Sequence, residues 1–362
     1  MASAQWAEPL QKLTAVGREG QGNEAASAAW NTIVSGGPAA LLPVLQASGE
    51  GGPVADNWLR LAAGTIADRA LSQKQALPID AVVAFLKDTS HRATGRALAF
   101  DILRQIDPAL ADKTEAELVE DPIQELRRGG VRKLIAAAHE LGAAGKKVES
   151  RAQYHQALNV ARDEDQVNAI ASALEQAGEK VDLAEQFGFL KKWWIVGPFD
   201  NLKRTGFDIP YPPESSVKLE TEYQGKPDSQ GNPRSFKWAS FESQQTYGMV
   251  DINKPLGMLK ETTAYAYTNF HSAEDREVEI RLGCKNAWKV WVNGEFIFGR
   301  DEYHRGMQMD QYKLHCHFKK GANAILVKCC QNEQTETWTV EWQFQLRVCD
   351  SAGTAIREAS KM

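Results

Sequence analysis

Residues 284–299 read Cys284-Lys-Asn-Ala-Trp-Lys-Val-Trp-Val-Asn-Gly-Glu-Phe-Ile-Phe-Gly299. Apolar and polar residues alternate on both sides of Asn293-Gly294, as expected for two strands that each bury one face. Asn and Gly both tolerate the positive φ that a two-residue hairpin turn requires. The stretch therefore predicts a β-hairpin that turns at Asn293-Gly294.

A second turn follows at Lys320-Gly-Ala-Asn323, after the polar loop 300–312, and alternation resumes beyond it. These two turns with their strands resemble the galactose-binding-like domains, which include many carbohydrate-binding modules and the non-catalytic sugar-binding domain of family 2 glycosidases. The resemblance covers residues 190–350 and implies a jelly-roll fold with a sugar ligand. Such sandwiches also act as spacers and protein-docking modules, so the fold alone does not decide the function.

Other segments of this half alternate in the same way. We predict strands over 235–241, 264–270 and 277–282, and a last strand over 338–348 that turns Trp338, Val340 and Trp342 to the core. About eight such strands make an antiparallel two-sheet sandwich. Residues 351–362 are predicted to be a frayed tail.

The first half has a different pattern. Residues 23–187 are rich in Ala, Leu, Glu, Gln and Arg, and their apolar residues recur at helical spacing. Leu45 and Leu86 lie in similar Pro-led segments about 40 positions apart, which is the range of HEAT and armadillo repeats. The apolar stripes are Trp58, Leu61, Ala62, Thr65 and Ile66; Ala99, Ile102, Leu103 and Ile106; Val131, Leu134, Ile135 and Ala138; and Val167, Ile170, Ala171 and Leu174.

The composition changes abruptly near Gly188, from helix formers to the aromatic and β-branched residues of Trp193-Trp-Ile-Val196. We therefore predict a helical HEAT-like repeat domain over 1–188, a galactose-binding-like β-sandwich over 189–350 and a tail over 351–362. An irregular helical bundle is the alternative for the first domain.

Length and charge limit the classes of function. A chain of 362 residues fits two domains. Its net charge of -5 argues against nucleic acid as a partner, because nucleic-acid binders present a basic surface. No run of 18 apolar residues occurs, so no membrane span is predicted.

The chain start and the cysteines bear on the compartment. Ala2-Ser3-Ala4 resembles the small-residue context beside a signal cleavage point, so we expect an extracytoplasmic location, with the cytoplasm as the alternative and a longer parent chain left open. All five cysteines fall in the second half, and their odd number leaves at least one thiol free. A disulfide from Cys329 or Cys330 to Cys316 or Cys349 is one alternative to buried thiols.

The candidate ligand residues lie on and after the hairpin. Val290 and Val292 are predicted to face the core, which puts Trp291 on the opposite face beside Lys289 and Asn293. An exposed Trp can stack on a pyranose ring while neighbouring polar groups bind hydroxyls, but burial of Trp291 in the packing is the interpretation that the sequence favours. The loop adds further candidates: Arg300, Asp301, Glu302, Tyr303, His304 and Arg305.

Two groups of residues in the second half of the sequence are candidate metal ligands. The resemblance implies a structural calcium ion, for which Asp200, Asn201 and Asp208, or Asp301 and Asp310, offer oxygen ligands. No other cofactor is expected.

His315 and His317 share one face of a strand and, with His304 or Asp310, match the ligand types of zinc. The pattern favours a plain exposed polar face, opposite an inward Leu314, Cys316 and Phe318.

The sequence contains no phosphate-binding loop, no G-x-S-x-G and no H-E-x-x-H. Asp301 or Glu302 with Glu333, Glu336 or Glu341 are candidate carboxylate pairs for glycoside hydrolysis. Acidic residues that serve solubility in the loops of a sandwich are the interpretation that the sequence favours.

The sequence favours a non-catalytic binding protein whose sandwich recognises a glycan or cell-surface polymer, with the helices as docking arm or spacer. A scaffold that binds proteins through both domains is the alternative, and an accessory part of a glycoside-acting enzyme is the third hypothesis.

Overall fold

The computed structural model describes residues 4–227 and 230–359. Helices come first and antiparallel sheets follow, which confirms the predicted α-then-β layout. The chain forms two compact units, the first ending at Gly178 and the second beginning at Glu179. Ala2 and Ser3, on which the expected cleavage context rests, lie outside the described residues.

The first unit is helical. Local signals fix several helix starts; for example, Asp107 Oδ1 accepts a hydrogen bond of 2.9 Å from Leu110 N, with Pro108 at the first helical position. Its α-helices are α1 (Ala4–Thr14), α2 (Asn23–Ser35), α3 (Leu41–Ala47), α4 (Pro53–Ser72), α5 (Ile79–Lys87), α6 (Ala93–Ile106), α7 (Pro108–Glu115), α8 (Gln124–Ala143), α9 (Lys147–Val160) and α10 (Glu164–Gln176).

One predicted stripe is shifted on α4. Leu61 is exposed and Trp58 is half-buried, while Leu59 and Ala63 are fully buried. The small residues on that face allow close approach of other helices, so the buried face is set by alanines rather than by the largest side chains. The other stripes match better: Ala99, Leu103, Val131, Ala138, Val167, Ile170 and Leu174 are all fully buried.

Leu45 and Leu86 occupy similar places. Leu45 is buried near the end of the short helix α3, which precedes the longer α4. Leu86 is buried near the end of α5, which precedes the longer α6. The spacing noted in the sequence thus corresponds to a recurring short-helix, long-helix order.

The second unit contains two large antiparallel sheets. One has the order β4-β1-β6-β11-β8-β9, the other β10-β7-β12-β5, and β2 pairs only with β3. The strands are β1 (Lys192–Asp200), β2 (Tyr223–Gln224), β3 (Ser235–Phe236), β4 (Ala239–Glu242), β5 (Val250–Asp251), β6 (Thr262–Ser272), β7 (Arg276–Cys284), β8 (Ala287–Val292), β9 (Glu295–Arg300), β10 (Tyr312–Phe318), β11 (Gly321–Gln331) and β12 (Gln343–Cys349). Three short helices accompany them: α11 (Leu183–Phe187), α12 (Pro212–Ser215) and α13 (Asn253–Leu256).

The predicted hairpin is confirmed. β8 and β9 pair in antiparallel register up to Val292 and Glu295, and Asn293 has φ 53° in the turn. The Asn293 side chain also accepts a 2.9 Å hydrogen bond from Ala324 N on β11. The second turn, before Gly321, leads from β10 in one sheet to β11 in the other.

One hydrophobic cluster draws residues from both sheets. It includes Trp193 and Trp288 from the six-stranded sheet and Ile280, Leu282 and Phe344 from the four-stranded sheet. The alternation that the sequence shows in these strands therefore selects the residues of one shared core.

A second cluster covers the other face of the six-stranded sheet. Lys328 is fully buried there, and its Nζ donates to Phe207 O at 3.0 Å, to Ile209 O at 2.8 Å and to Glu214 Oε1 at 2.8 Å. Tyr265 OH donates to the same Glu214 oxygen at 2.5 Å. These contacts hold the loop 202–217 over the sheet. The buried members of the cluster are Val196, Phe199, Tyr223, Trp238, Tyr265, Trp291 and Leu326.

Charged residues are buried on the outer side of the four-stranded sheet. Glu279 and Arg281, which the alternation turns outward, are covered because Asp310 lies over them and over Arg347. Arg347 Nε donates to Asp310 Oδ1 at 2.7 Å, and Arg281 Nη1 donates to Asp310 Oδ2 at 2.8 Å. The loop 300–312 thus supplies the polar cover of this face.

The predicted boundary and tail both need correction. Helix α11 belongs to the second unit because Arg347 Nη1 donates to Phe187 O at 3.1 Å, so the division falls before Gly188. The tail is not frayed over its described part. Cys349 and Ala355 form an isolated antiparallel β-bridge, and Ala359 N donates to His271 O at 2.8 Å. Residues 360–362 lie outside the described part of the chain. None of the helices described is long and apolar enough to cross a membrane.

Candidate functional site

Trp338 lies in an exposed turn rather than in the predicted last strand. Only Gln343–Cys349 pairs as β12, and residues Thr337–Thr339 form a short 3-10 turn. Side chains capture the Thr339 carbonyl, which accepts from Lys260 Nζ at 2.8 Å and from Gln331 Nε2 at 3.1 Å. These hydrogen bonds stabilise the turn, and Trp338 within it is 58% exposed.

His304 stands edge-on to this ring. The two ring centroids are 5.6 Å apart with an interplanar angle of 88°. His304 Nε2 lies 2.7 Å from Asn332 Oδ1, and because an amide oxygen only accepts, Nε2 carries the proton. The same oxygen accepts from Gln334 N at 3.2 Å. Asn332 thus joins the loop that carries His304 to the loop that carries Trp338.

Arg204 closes the same region with an ion pair. Arg204 Nε donates to Glu333 Oε2 at 3.1 Å, and a second hydrogen bond joins Nη2 to Oε1. The guanidinium carbon also lies 5.2 Å from the centre of the Tyr303 ring. This hydrogen-bonded ion pair lowers the pKa of the Glu333 carboxyl. The two hydrogen bonds from Arg204 orient the Glu333 carboxylate.

A buried side chain, Asn201, holds Tyr303 by a hydrogen bond. Asn201 is fully buried, and its Nδ2 donates to Tyr303 OH at 3.1 Å and to Gln331 O at 2.9 Å. Burial raises the pKa of the Tyr303 phenol, which stays protonated at neutral pH. Three segments distant in sequence are thereby held together, and we refer to their assembly as the Trp338 site: Arg204, Tyr303, His304, Asn332, Glu333 and Trp338.

The backbone of this site is unusual. Arg204 has φ 66° and His304 has φ 53°, in the left-handed region that residues other than Gly seldom adopt. Such conformations cost about 1–3 kcal/mol each and persist where the surroundings fix them. The Glu333 ion pair and the Asn332 contact supply that restraint. The result is an open aromatic face beside oriented donors and acceptors.

Trp291, the central ligand residue predicted from the sequence, is not an exposed platform. It does lie on the face opposite Val290 and Val292, as predicted, but only 7% of its surface is exposed. Its ring packs in the second cluster, 5.6 Å from the ring of Phe296. The exposed ring, on which a ligand role of Trp291 depended, is therefore ruled out, because the loop 202–217 covers this face.

Lys289 and Asn293 have structural contacts. Lys289 Nζ lies 4.2 Å from the centre of the Phe207 ring and 3.5 Å from Asp208 Oδ1. Asn293 holds the hairpin turn, with its Nδ2 donating to Asn323 Oδ1 at 3.0 Å. None of these contacts of Lys289 and Asn293 involves Trp338.

The charged loop residues pair mainly with one another. Glu302 carboxylate oxygens lie 3.8 Å from Arg300 Nη1 and 3.6 Å from Arg305 Nε. Asp301 is exposed, yet partial burial of its carboxyl, with the charge of Asp208, raises its pKa. Of the predicted loop residues, Tyr303 and His304 are the two that the contacts join to Trp338.

The predicted calcium residues have contacts of their own. Asp200 Oδ1 accepts from Leu202 N at 3.2 Å, and Asp208 is exposed beside Lys289. Asn201 Oδ1 is buried without a hydrogen bond, so one oxygen is unpaired. Calcium prefers several oxygen ligands, and a calcium ion held by these residues stays a prediction. Asp310, the other candidate, binds two arginines.

The histidine pair lies on an exposed strand face. His317 Nδ1 is 2.8 Å from Glu277 Oε1, and His315 Nδ1 is 3.7 Å from Glu279 Oε1. Leu314, Cys316 and Phe318, which alternate with the two histidines, are buried, as the alternation predicts. Over the ranges that the structure describes, no three His, Cys, Asp or Glu side chains form a group able to hold a metal ion.

The candidate carboxylates are placed differently from one another. Glu333 binds Arg204 within the Trp338 site, whereas Glu341 forms an ion pair with Lys285. Glu336 is exposed in the turn before Trp338.

Sequence reasoning missed Trp338 and Arg204. Trp338 continues the alternation of β12, so the pattern assigned it to the core. The polar run Asn332-Glu-Gln-Thr-Glu336 just before it is the signal that a loop precedes the strand.

Comparison with known proteins gives little further information. No family model matches this chain, and no curated protein matches it. A β-glucosidase from Kluyveromyces marxianus shares 14% identity over 25% of this chain and 11% of its own, with a TM-score of 0.20. An α-xylosidase of family GH31 from Xanthomonas citri shares 8% identity over 36% of this chain and 17% of its own, also with a TM-score of 0.20. Similarity at this level does not establish a shared fold.

Proposed function

We propose that this chain is a non-catalytic binding protein that recognises a glycan or cell-surface polymer through the Trp338 site. The observation that carries the proposal is the exposed Trp338 ring beside His304, with Asn332 fixing both loops. A flat aromatic face stacks on the C–H face of a pyranose, and oriented polar groups around it bind hydroxyls. The Arg204–Glu333 pair offers both donors and acceptors for such hydroxyls.

The proposal includes the architecture expected from the sequence. Two antiparallel sheets that share one core support a galactose-binding-like sandwich, with the site at its loops rather than on a sheet face. The recurring short-helix, long-helix order supports HEAT-like repeats that act as a docking arm or spacer. An extracytoplasmic location, where glycan polymers are exposed, is part of the same proposal.

Substitution of Trp338 tests the site. We expect Trp338→Ala to weaken glycan binding at least about tenfold, because an interfacial Trp contributes more than 1.4 kcal/mol. The measurement is affinity electrophoresis of the intact chain against a panel of soluble polysaccharides, with and without calcium. Trp194→Ala is the matched control, since Trp194 is a second partly exposed Trp, at 40%, on β1.

Retardation by one polysaccharide that Trp338→Ala loses and Trp194→Ala keeps supports the proposal. Equal retardation of all three proteins contradicts the assignment of the site. Failure of every polysaccharide to retard the wild-type chain contradicts glycan recognition itself. Release of reducing ends from a retained polysaccharide would instead favour an accessory part of a glycoside-acting enzyme.

A protein-binding scaffold is the second candidate. β9 is the last strand in the order of the six-stranded sheet, and both Phe296 and Phe298 on it are exposed. An edge strand with unpaired backbone groups and exposed aromatic rings can add a strand from a partner. This surface is separate from Trp338, so the two candidates are distinguished by which substitution abolishes binding.

A further inference from the structure

Two cysteines from different sheets meet in the shared core. Cys284 ends β7 in the four-stranded sheet, and Cys329 lies in β11 of the six-stranded sheet. Their sulfurs are 3.8 Å apart, and both residues are buried. A disulfide needs a separation of about 2.05 Å, so the two sulfurs would have to approach each other by about 1.8 Å.

The other cysteines are placed differently. Cys330 follows Cys329 but points to the opposite face, where its sulfur accepts a hydrogen bond of 3.3 Å from Thr263 Oγ1. Cys349 Sγ lies 3.6 Å from Glu279 O. The pairing of Cys329 with Cys316 or Cys349 considered from the sequence is therefore not the pairing that the fold brings into contact.

We propose that Cys284 and Cys329 form a disulfide that links the two sheets when the chain folds in an oxidising compartment. The proposal is independent of glycan binding. The linked residues are 45 positions apart, so the closed loop includes β8, β9 and β10 together with Tyr303 and His304. Closing a loop of this length lowers the entropy of the unfolded chain and thereby stabilises the fold.

The chemistry requires a disulfide oxidant, such as oxidised glutathione or an oxidised dithiol oxidoreductase. The thiolate of one cysteine attacks the oxidant's disulfide and expels one thiolate, which leaves a mixed disulfide. The second cysteine's thiolate then attacks the protein sulfur of that bond and expels the other thiolate. Two electrons and two protons pass to the oxidant, which becomes two thiols.

The reaction belongs to folding rather than to the finished fold. Burial, together with the Cys284 neighbour, raises the pKa of the Cys329 thiol, so the folded chain holds little of the reactive thiolate. Both thiols are accessible before the sheets close. Addition of oxidant to the folded, reduced protein is therefore expected to be slow by comparison.

Refolding of the intact chain tests the proposal. The urea-denatured protein is refolded in a buffer of oxidised and reduced glutathione, freed of glutathione at acid pH, unfolded again in urea, alkylated there with iodoacetamide, and mapped by mass spectrometry. We expect one link between the peptides of Cys284 and Cys329, three alkylated cysteines, and a midpoint of thermal unfolding about 5–10 °C above that of the reduced protein.

Two variants make the map decisive. Because Cys329 and Cys330 are adjacent, Cys330→Ala is needed to show which of them is linked, and we expect it to keep the link. Cys329→Ala is expected to lose it; should that variant fail to fold, the Cys330→Ala map decides alone. Five alkylated cysteines in the refolded wild type, or a link through Cys316, Cys330 or Cys349, would overturn the proposal.

Discussion

Trp291→Ala is expected to lower the free energy of unfolding by about 3–5 kcal/mol. The ring is 7% exposed and packs with Leu326 and Phe296 in the cluster on the outer face of the six-stranded sheet. Its removal leaves a cavity in a layer that the loop 202–217 closes, and the loop is held by contacts of its own. Urea denaturation followed by tryptophan fluorescence and circular dichroism measures the change.

The control for this substitution is Trp338→Ala. An exposed ring contributes little to stability, so the free energy of unfolding should change by no more than about 0.5 kcal/mol. Trp291→Ala is therefore expected to lower stability, whereas Trp338→Ala is expected to weaken binding. A stable Trp291→Ala protein that has lost glycan binding would contradict both assignments.

Asp310→Ala is expected to cost about 3–5 kcal/mol, because it leaves two buried guanidinium groups without their shared carboxylate. Asp310 accepts from Arg347 through both oxygens and from Arg281 through Oδ2. Glu279 retains a contact with Arg281, but Arg347 keeps only backbone carbonyls. The exposed neighbour Asp301→Ala is the matched control, with an expected change of no more than about 0.5 kcal/mol.

The same carboxyl predicts a dependence on pH. Burial alone would raise the pKa of Asp310, but the hydrogen bonds and charges of Arg347 and Arg281 outweigh it and hold the pKa below its usual range. A depressed folded-state pKa stabilises the fold above the ordinary aspartate pKa of about 3.9, and this contribution is lost as the pH falls through the lower value. Asp310→Ala should thus flatten the acid limb of the stability curve. An acid limb identical to that of the wild type would contradict the role of Asp310.

The hairpin could be predicted because its signal is local. Asn293-Gly294 determines the turn, and the alternation around it determines which residues share a face. The inward positions of Val290, Leu314 and Phe318 follow from that alternation and are confirmed by their burial.

The exposure of the two tryptophans could not be predicted in the same way. Alternation assigns a side chain to a face but does not say whether a loop covers that face. Trp291 is covered because Lys328, distant in sequence, binds the loop 202–217. Trp338 is exposed in a turn that Lys260 and Gln331 stabilise by hydrogen bonds to the Thr339 carbonyl.

The site itself depends on contacts over long sequence separations. Arg204 meets Glu333, and His304 meets Asn332, across segments that no short motif links. The sequence singled out the loop 300–312 as a candidate ligand site and thereby indicated one of the three segments. Arg204 lies in a turn whose left-handed backbone has no glycine to signal it.

The central claim is that a glycan binds on the Trp338 ring, and indole N–H resonances test it most directly. The chain has ten tryptophans, and loss of one signal in Trp338→Ala assigns that residue. On titration with an oligosaccharide of the polysaccharide that retards the intact protein, we predict a saturable shift of the Trp338 resonance, with the Trp291 and Trp194 resonances unchanged. A shift confined to another indole, with the Trp338 resonance unmoved at saturation, would contradict the account.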